Sequence, residues 1–241
     1  SEVTEGKKAL SDTLVRQYRT LGEEEKADAL LERATSFDGN DPRAWLAVSN
    51  MRGRKGDFAG ALEAAENAVA ADPSDTLSRL RKADLLIDVG IRNADDAQLA
   101  EAHGIIESVL AEDPSNSEAA FVRAKSEIAA GDPEKAIGSL RDALAAKPDW
   151  GQAHFVLGSA LLMTQDFHRA RAELARAVEL NPGLLPARKL LVRVHAELGE
   201  HEYAIQNARR YLQREQEDEE VRILMAQSMV CLVYTSDAAD E

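Results

Sequence analysis

The chain has 241 residues, of which 44% are hydrophobic and only 5% aromatic, and it carries a formal net charge of -14. No run alternates Val, Ile, Thr and Tyr, so strands are not expected and the class is all-α. The negative balance disfavours a nucleic-acid backbone as partner, since phosphate binding needs a net basic surface. No apolar run approaches the roughly 20 residues of a membrane span.

In chain order, apolar and small residues recur at helical spacing in paired short segments that start near Lys8, Pro42, Thr76, Ser117, Gly151, Leu185 and Glu219. The clearest pair runs from Gly151 to Leu184. Phe155, Leu157, Gly158, Leu161 and Leu162 fall on one helical pattern, which breaks at Gln165 and Asp166 and restarts with Phe167, Ala170, Leu174, Ala177 and Val178. Asn181 and Pro182 stop the second helix, because proline disfavours the helical conformation of the residue before it. Two helices of about 13 residues cannot bury their apolar faces on each other alone, so each pair needs neighbours.

The period is 34 residues: Pro148 precedes Pro182 by that step, Ala136 precedes Ala170, Leu140 precedes Leu174 and Ala143 precedes Ala177. A further step back reaches Pro114, Ala102, Ile106 and Val109, and upstream the phase is kept by Gly22 and Gly56 and by Ala27 and Ala61. The third repeat alone is longer, by seven residues around 91–97. There Asn93, followed by Ala, Asp and Asp, reads as an N-cap with acids in the first helical turn. That predicts a second helix longer by about one turn. The turn position is glycine at Gly22, Gly56, Gly90, Gly131 and Gly199, where a left-handed backbone is expected; Gln165 stands at the same place, at a cost of about 1 kcal/mol. Val221 to Val230 then reads as the first helix of a seventh repeat. Residues 231–241, CLVYTSDAADE, resemble one translated frame of a transposon-end sequencing adapter and are expected to be a non-native tail on a fragment. The single cysteine, Cys231, falls there and so says nothing of redox compartment.

The repeat resembles the tetratricopeptide repeat family in its bacterial form. Trp45 stands at the family's Trp site, Tyr18 at its Tyr site, Leu157 and Gly158 at its Leu-Gly pair, and the turns read Gly56-Asp57-Phe58 and Gly131-Asp132-Pro133. The resemblance covers Lys8 to Val230. It implies a right-handed superhelical solenoid of antiparallel helix pairs, with six full repeats and a truncated one forming a single domain over 1–230, and it implies a protein-interaction scaffold. Departures from the pattern are Arg123 and Glu127, which replace Leu and Tyr; four residues apart, they are expected to pair as ions, worth about 0.2 to 0.5 kcal/mol if exposed. His154 takes the column of Trp45 and reads as packing. His195 and His201 straddle a turn and read as surface or inter-helix residues. Asp38 to Asp41 lacks the alternating ligands and closing Glu of a calcium loop and reads as a turn. Ser11, Ser159 and Ser228 have no nucleophile elbow around them. No catalytic, cofactor-binding or metal-ligating residues are expected, and the chain is not expected to be an enzyme.

The same resemblance implies that the second, fifth, sixth, ninth, twelfth and thirteenth residues of each first helix line a concave groove. The candidate partner-binding residues are therefore Arg43, Asn50, Arg54, Arg81, Phe121, Lys125, Ile128, Phe155, Ser159, Leu162, Met163, Lys189 and Arg193. With Arg16 and Arg19, bases outnumber acids in these columns by eight to five, the acids being Asp12, Asp84, Asp88, Glu118 and Glu197. Phe121, Val122, Ile128, Phe155, Val156, Leu162 and Met163 would form an apolar floor, and an apolar patch rimmed by charge is the usual composition of a binding surface. The carboxylate clamp for C-terminal peptides is not expected, because Asn50 and Arg81 alone match it while Leu46 and Leu77 stand where lysines are required. The partner is expected to be a protein or peptide segment, extended or helical, rather than a nucleic acid. Two other readings are kept: the recognition arm of an enzyme such as a glycosyltransferase or peptidase, and a subunit of bacterial envelope or exopolysaccharide export.

Overall fold

The structure is a computed structural model and describes residues 13–37 and 41–237. The expected repeat start at Lys8, Ser11, Asp12, the turn over 38–40 and the last residues of the expected tail lie outside the described residues. The described residues form thirteen helices and no strand. One compact half reaches Pro114 and holds α1 (13–20), α2 (Glu24–Phe37), α3 (Pro42–Arg54), α4 (Phe58–Ala71), α5 (Thr76–Asn93) and α6 (Asp96–Glu112). The other starts at Ser115 and holds α7 (Ser117–Ala129), α8 (Pro133–Ala146), α9 (Gly151–Met163), α10 (Phe167–Leu180), α11 (Leu185–Glu197), α12 (His201–Leu212) and α13 (Glu219–Asp237).

Within each half, helices consecutive in sequence pack side by side, so that each pair α3/α4, α5/α6, α7/α8, α9/α10 and α11/α12 is joined to a neighbouring pair of its own half. The repeating columns are the ones that seal these contacts. Ala136, Ala170 and Ala204, Leu140 and Leu174, and Ala143 and Ala177 are all fully buried. Small side chains let the helix axes approach; at Gly158 an added Cβ would stand 2.6 Å from Leu174 Cγ, so no larger residue fits between α9 and α10 there. Helix starts are fixed by aspartates, with Asp57 accepting from the Gly60 N–H for α4 and Asp166 from the Arg169 N–H for α10.

Turns between the helices of a pair use left-handed backbone at Gly22, Gly56, Gly131 and Gly199, and Gln165 adopts it too, with φ of 60°. Gly90 does not. It lies inside α5, where an added Cβ would meet Leu99 Cδ2 at 2.9 Å, and the left-handed residue of that repeat is Ala94, with φ of 51°. The inserted residues extend both helices: α5 has 18 residues and α6 has 17, where α9 and α10 have 13 and 14. Asn93 is consequently the last residue of α5 and not an N-cap. That role falls to Asp95, whose carboxylate accepts from the N–H groups of both Ala97 and Gln98. At the other end of the chain, α13 continues past Val230 to Asp237.

Candidate functional site

In the first half the candidate residues separate by what holds them. Arg81 spans from α5 to α3: its Nε donates to Ser49 Oγ at 3.2 Å, its Nη2 to the Ser49 carbonyl at 3.3 Å, and its Nη1 pairs with Asp84 at 3.1 Å. Its Nη2 lies 2.7 Å from where a Cβ on Gly53 would be, so the guanidinium fills the space that glycine leaves. Arg81 is thus a strut between repeats rather than an open base. Arg43 pairs with Asp41, the N-cap of α3, at 3.5 Å. Asn50 and Arg54 are exposed.

In the second half, α9 brings most of the candidates together. Its sequence, GQAHFVLGSALLM, has no Asp, Glu, Lys or Arg, and its polar side chains, Gln152, His154 and Ser159, are scattered among apolar ones on every side. A helix of that kind is normally enclosed on all sides. Ala153, Val156, Leu157, Gly158, Ala160 and Leu161 are indeed buried, but Phe155, Ser159 and Leu162 are only half-buried and Met163 is 52% exposed. Those four fall on one side of the helix by spacing. Phe121 and Ile128 of α7, also half-buried, pack with Phe155 and Leu162 on the same core cluster. Val122 and Val156, expected in the apolar floor, are core residues, 6% and 9% exposed, because their columns face the neighbouring helix.

The bases of this half are less available than their number suggests. Lys189 on α11 pairs with Asp218 and Glu220, each at 2.8 Å, and these hydrogen bonds raise its pKa far above the ordinary lysine value. Asp218 is the hub of this corner. It also accepts from Tyr211 Oη at 2.8 Å and from the Val221 N–H at 3.2 Å, joining α11, α12 and the start of α13. The Lys189 hydrogen bond, with Tyr211 and the Val221 N–H adding to it against the burial cost, pulls Asp218 down to about 2. Burial first, then the Asp218 carboxylate, raises the Tyr211 phenol. Glu118, counted among the groove acids, is hydrogen-bonded to Lys147, which lowers its pKa. Lys125 is half-buried and engaged, so of the candidate bases in this half Arg193 is the one that stands exposed without an ion pair among the described residues.

Arg123 and Glu127, expected to pair on one helix face, are linked through α8. Arg123 Nε donates to Ser139 Oγ at 3.0 Å, and that hydroxyl donates to Glu127 Oε2 at 2.7 Å, while the direct ion contact is 3.9 Å. The column of Trp45 shows a second polar device. His154 places Nδ1 2.6 Å from Glu173 and Nε2 2.8 Å from the Pro148 carbonyl. One repeat on, Arg188 donates to Asn207 Oδ1 at 3.4 Å and to the Pro182 carbonyl at 3.3 Å. Pro148 and Pro182, and Glu173 and Asn207, are 34 residues apart, so the same three columns are tied in both repeats. His195 is an inter-helix residue: it is buried, its Nδ1 lies 2.6 Å from Glu200, and its ring stacks on Tyr203 with centroids 5.4 Å apart. No group of His, Cys, Asp and Glu among the described residues is arranged to hold a metal ion.

Sequence reasoning misses the Lys189–Asp218–Tyr211 corner. Asp218, directly before the acidic start of α13, carries an N-cap signal, but nothing in the sequence announces that Lys189, 29 residues away, meets it.

A family model described as tetratricopeptide repeat matches residues 94–150 and 121–184, and a second with the same description matches 161–228. Together they span more than half of the chain, which belongs to the tetratricopeptide repeat family. No curated protein matches it in sequence. Among solved structures, a thermophilic tetratricopeptide repeat protein of Thermus thermophilus is similar with a TM-score of 0.64 at 18% identity, covering 78% of this chain and 99% of that one. The Cut9–Hcn1 hetero-tetramer of the APC/C is similar with a TM-score of 0.71 at 15% identity, over 89% of this chain and 41% of the other. The human IFIT1 dimer with m7Gppp-AAAA is similar with a TM-score of 0.67 at 22% identity, over 78% of this chain and 46% of the other. The chain therefore spans less than half the length of two of these three, and at such identities the likeness is one of fold.

Proposed function

We propose that this protein is an interaction scaffold whose second half binds an extended or helical segment of a partner protein on the side of α9 that carries Phe155, Ser159, Leu162 and Met163, with Phe121, Ile128 and Lys125 of α7 beside it and Arg193 at its edge. The observation that carries this is the uncharged circumference of α9: the core uses only part of it, and the remainder is left half-open as apolar surface. A partner segment with apolar anchors completes the burial that the fold leaves undone. Arg193 is available for an acidic flank. In the first half, Arg54 and Asn50 are exposed and offer polar contacts, whereas Arg43, Arg81 and, in the second half, Lys189 serve their own helices first.

Peptides selected against the intact chain test the assignment. Met163→Glu places a charge on the exposed part of this surface and should weaken them by about tenfold or more, and Phe155→Ala should cost about 2 kcal/mol if its ring is an anchor. Arg193→Glu should chiefly slow association and reverse its response to salt. Peptides that bind Met163→Glu and Phe155→Ala as tightly as the parent chain would place the binding surface elsewhere.

A further inference from the structure

A different face of α9 holds a solvent-open cleft of about 350 Å³ between α8 and α10, floored by Leu157 and Leu161, with Leu144 on its α8 wall. Its origin is readable in the repeat. The column that carries Trp45, Arg79, Ala120 and Arg188 in other repeats holds His154 here, and its ring is drawn to the Pro148 carbonyl and Glu173 at the edge of the cleft, smaller than the Trp or Arg of three of those repeats. The α10 wall differs as well: the position of Tyr203, whose ring stacks on His195 in the next repeat, is Arg169 here.

The lining is half polar, and two guanidinium groups stand in it beside the leucines. Arg169 is exposed and pairs only with its own helix cap, Asp166, at 3.0 Å. Arg141 is exposed and makes no ion pair among the described residues. The one carboxylate in the lining, Glu173, is already held by His154. We propose that the cleft binds an amphipathic carboxylate, its aliphatic body lying on Leu144, Leu157 and Leu161 and its carboxylate on Arg141 and Arg169. Guanidinium forks match carboxylates in geometry and charge, and an apolar floor beside two cationic groups divides the cleft into the two parts that an amphipathic anion presents. The cleft is independent of the partner surface proposed above, because it uses the opposite columns of α9.

Octanoate and octanol, titrated separately into the intact chain with methyl-labelled leucines, provide the test. Octanoate should shift the methyl resonances of Leu144, Leu157 and Leu161 saturably. Arg141→Gln, which removes an exposed and unpaired side chain and so leaves folding intact, should weaken octanoate about tenfold, as expected for loss of a charged hydrogen bond. His154→Trp, which places a larger side chain in the cleft, should abolish the shifts. Absence of a saturable shift, equal affinity for octanol, unchanged affinity in Arg141→Gln, or binding that survives a folded His154→Trp would each overturn the proposal.

Discussion

Gln165 and Ala94 are the two described non-glycine residues with positive φ, at 60° and 51°. Both close a tight turn between the helices of a pair, and both hold a conformation in which a Cβ crowds the backbone. Glycine there removes that strain but adds freedom to the unfolded chain. Gln165→Gly and Ala94→Gly should each stabilise by up to about 1 kcal/mol in chemical denaturation. A fall in midpoint would mean that side-chain contacts at these turns outweigh the strain. Gly158 shows the reverse case. Leu174 is fully buried and cannot yield to a Cβ 2.6 Å from its Cγ, so Gly158→Ala should cost about 2 to 3 kcal/mol by overpacking, the upper part of the usual range, against the roughly 1 kcal/mol that alanine gains in helix propensity, and so lower stability on balance.

At the level of helices, the Lys189–Asp218–Tyr211 corner makes the docking of α13 sensitive to acid. Asp218 has a folded pKa of about 2 against an ordinary value of 3.8, so its contribution is complete above about 3.8 and disappears as the pH falls toward 2. It amounts to something of the order of 2 kcal/mol. Asp218→Asn should lower stability at neutral pH and flatten the acid limb of the denaturation profile; an unchanged limb would show that the hub is not what acid releases. Helix positions are legible in the sequence because Ala136, Ala170 and Ala204 and their companion columns recur at a fixed period and because aspartates and prolines mark helix starts. The long repeat misleads at Gly90 and Asn93, since glycine in a turn and glycine in a close helix contact look alike in a sequence. The candidate surface is legible only as columns. Which apolar side chains stay half-open, as Phe155 and Leu162 do, and which sink into the core, as Val122 and Val156 do, depends on helix rotation. Which bases are already paired depends on residues far away in sequence.

For the molecule as a whole, repeat architecture makes stability a matter of neighbours. Helices of the described halves pack on the ones before and after them in sequence, and energy terms of this kind add locally. Gly158→Ala should therefore speed amide exchange most in α8 to α11 and least in α2 to α4, and uniform acceleration would contradict a nearest-neighbour chain. The two polar ties at the Trp45 column bear on how such an array changes over generations. Copying a repeat copies both ends of a tie at once, as His154 with Glu173 and Arg188 with Asn207. Exchanging one end alone leaves the other without its partner, which for the buried Arg188 and Asn207 costs about 1 to 3 kcal/mol and for the half-buried His154 and Glu173 less. In these two sister repeats the columns differ as matched couples while the proline carbonyl stays the common anchor, whereas the repeat before them carries Ala120 and Ser139 there and turns the serine to Arg123 and Glu127 instead.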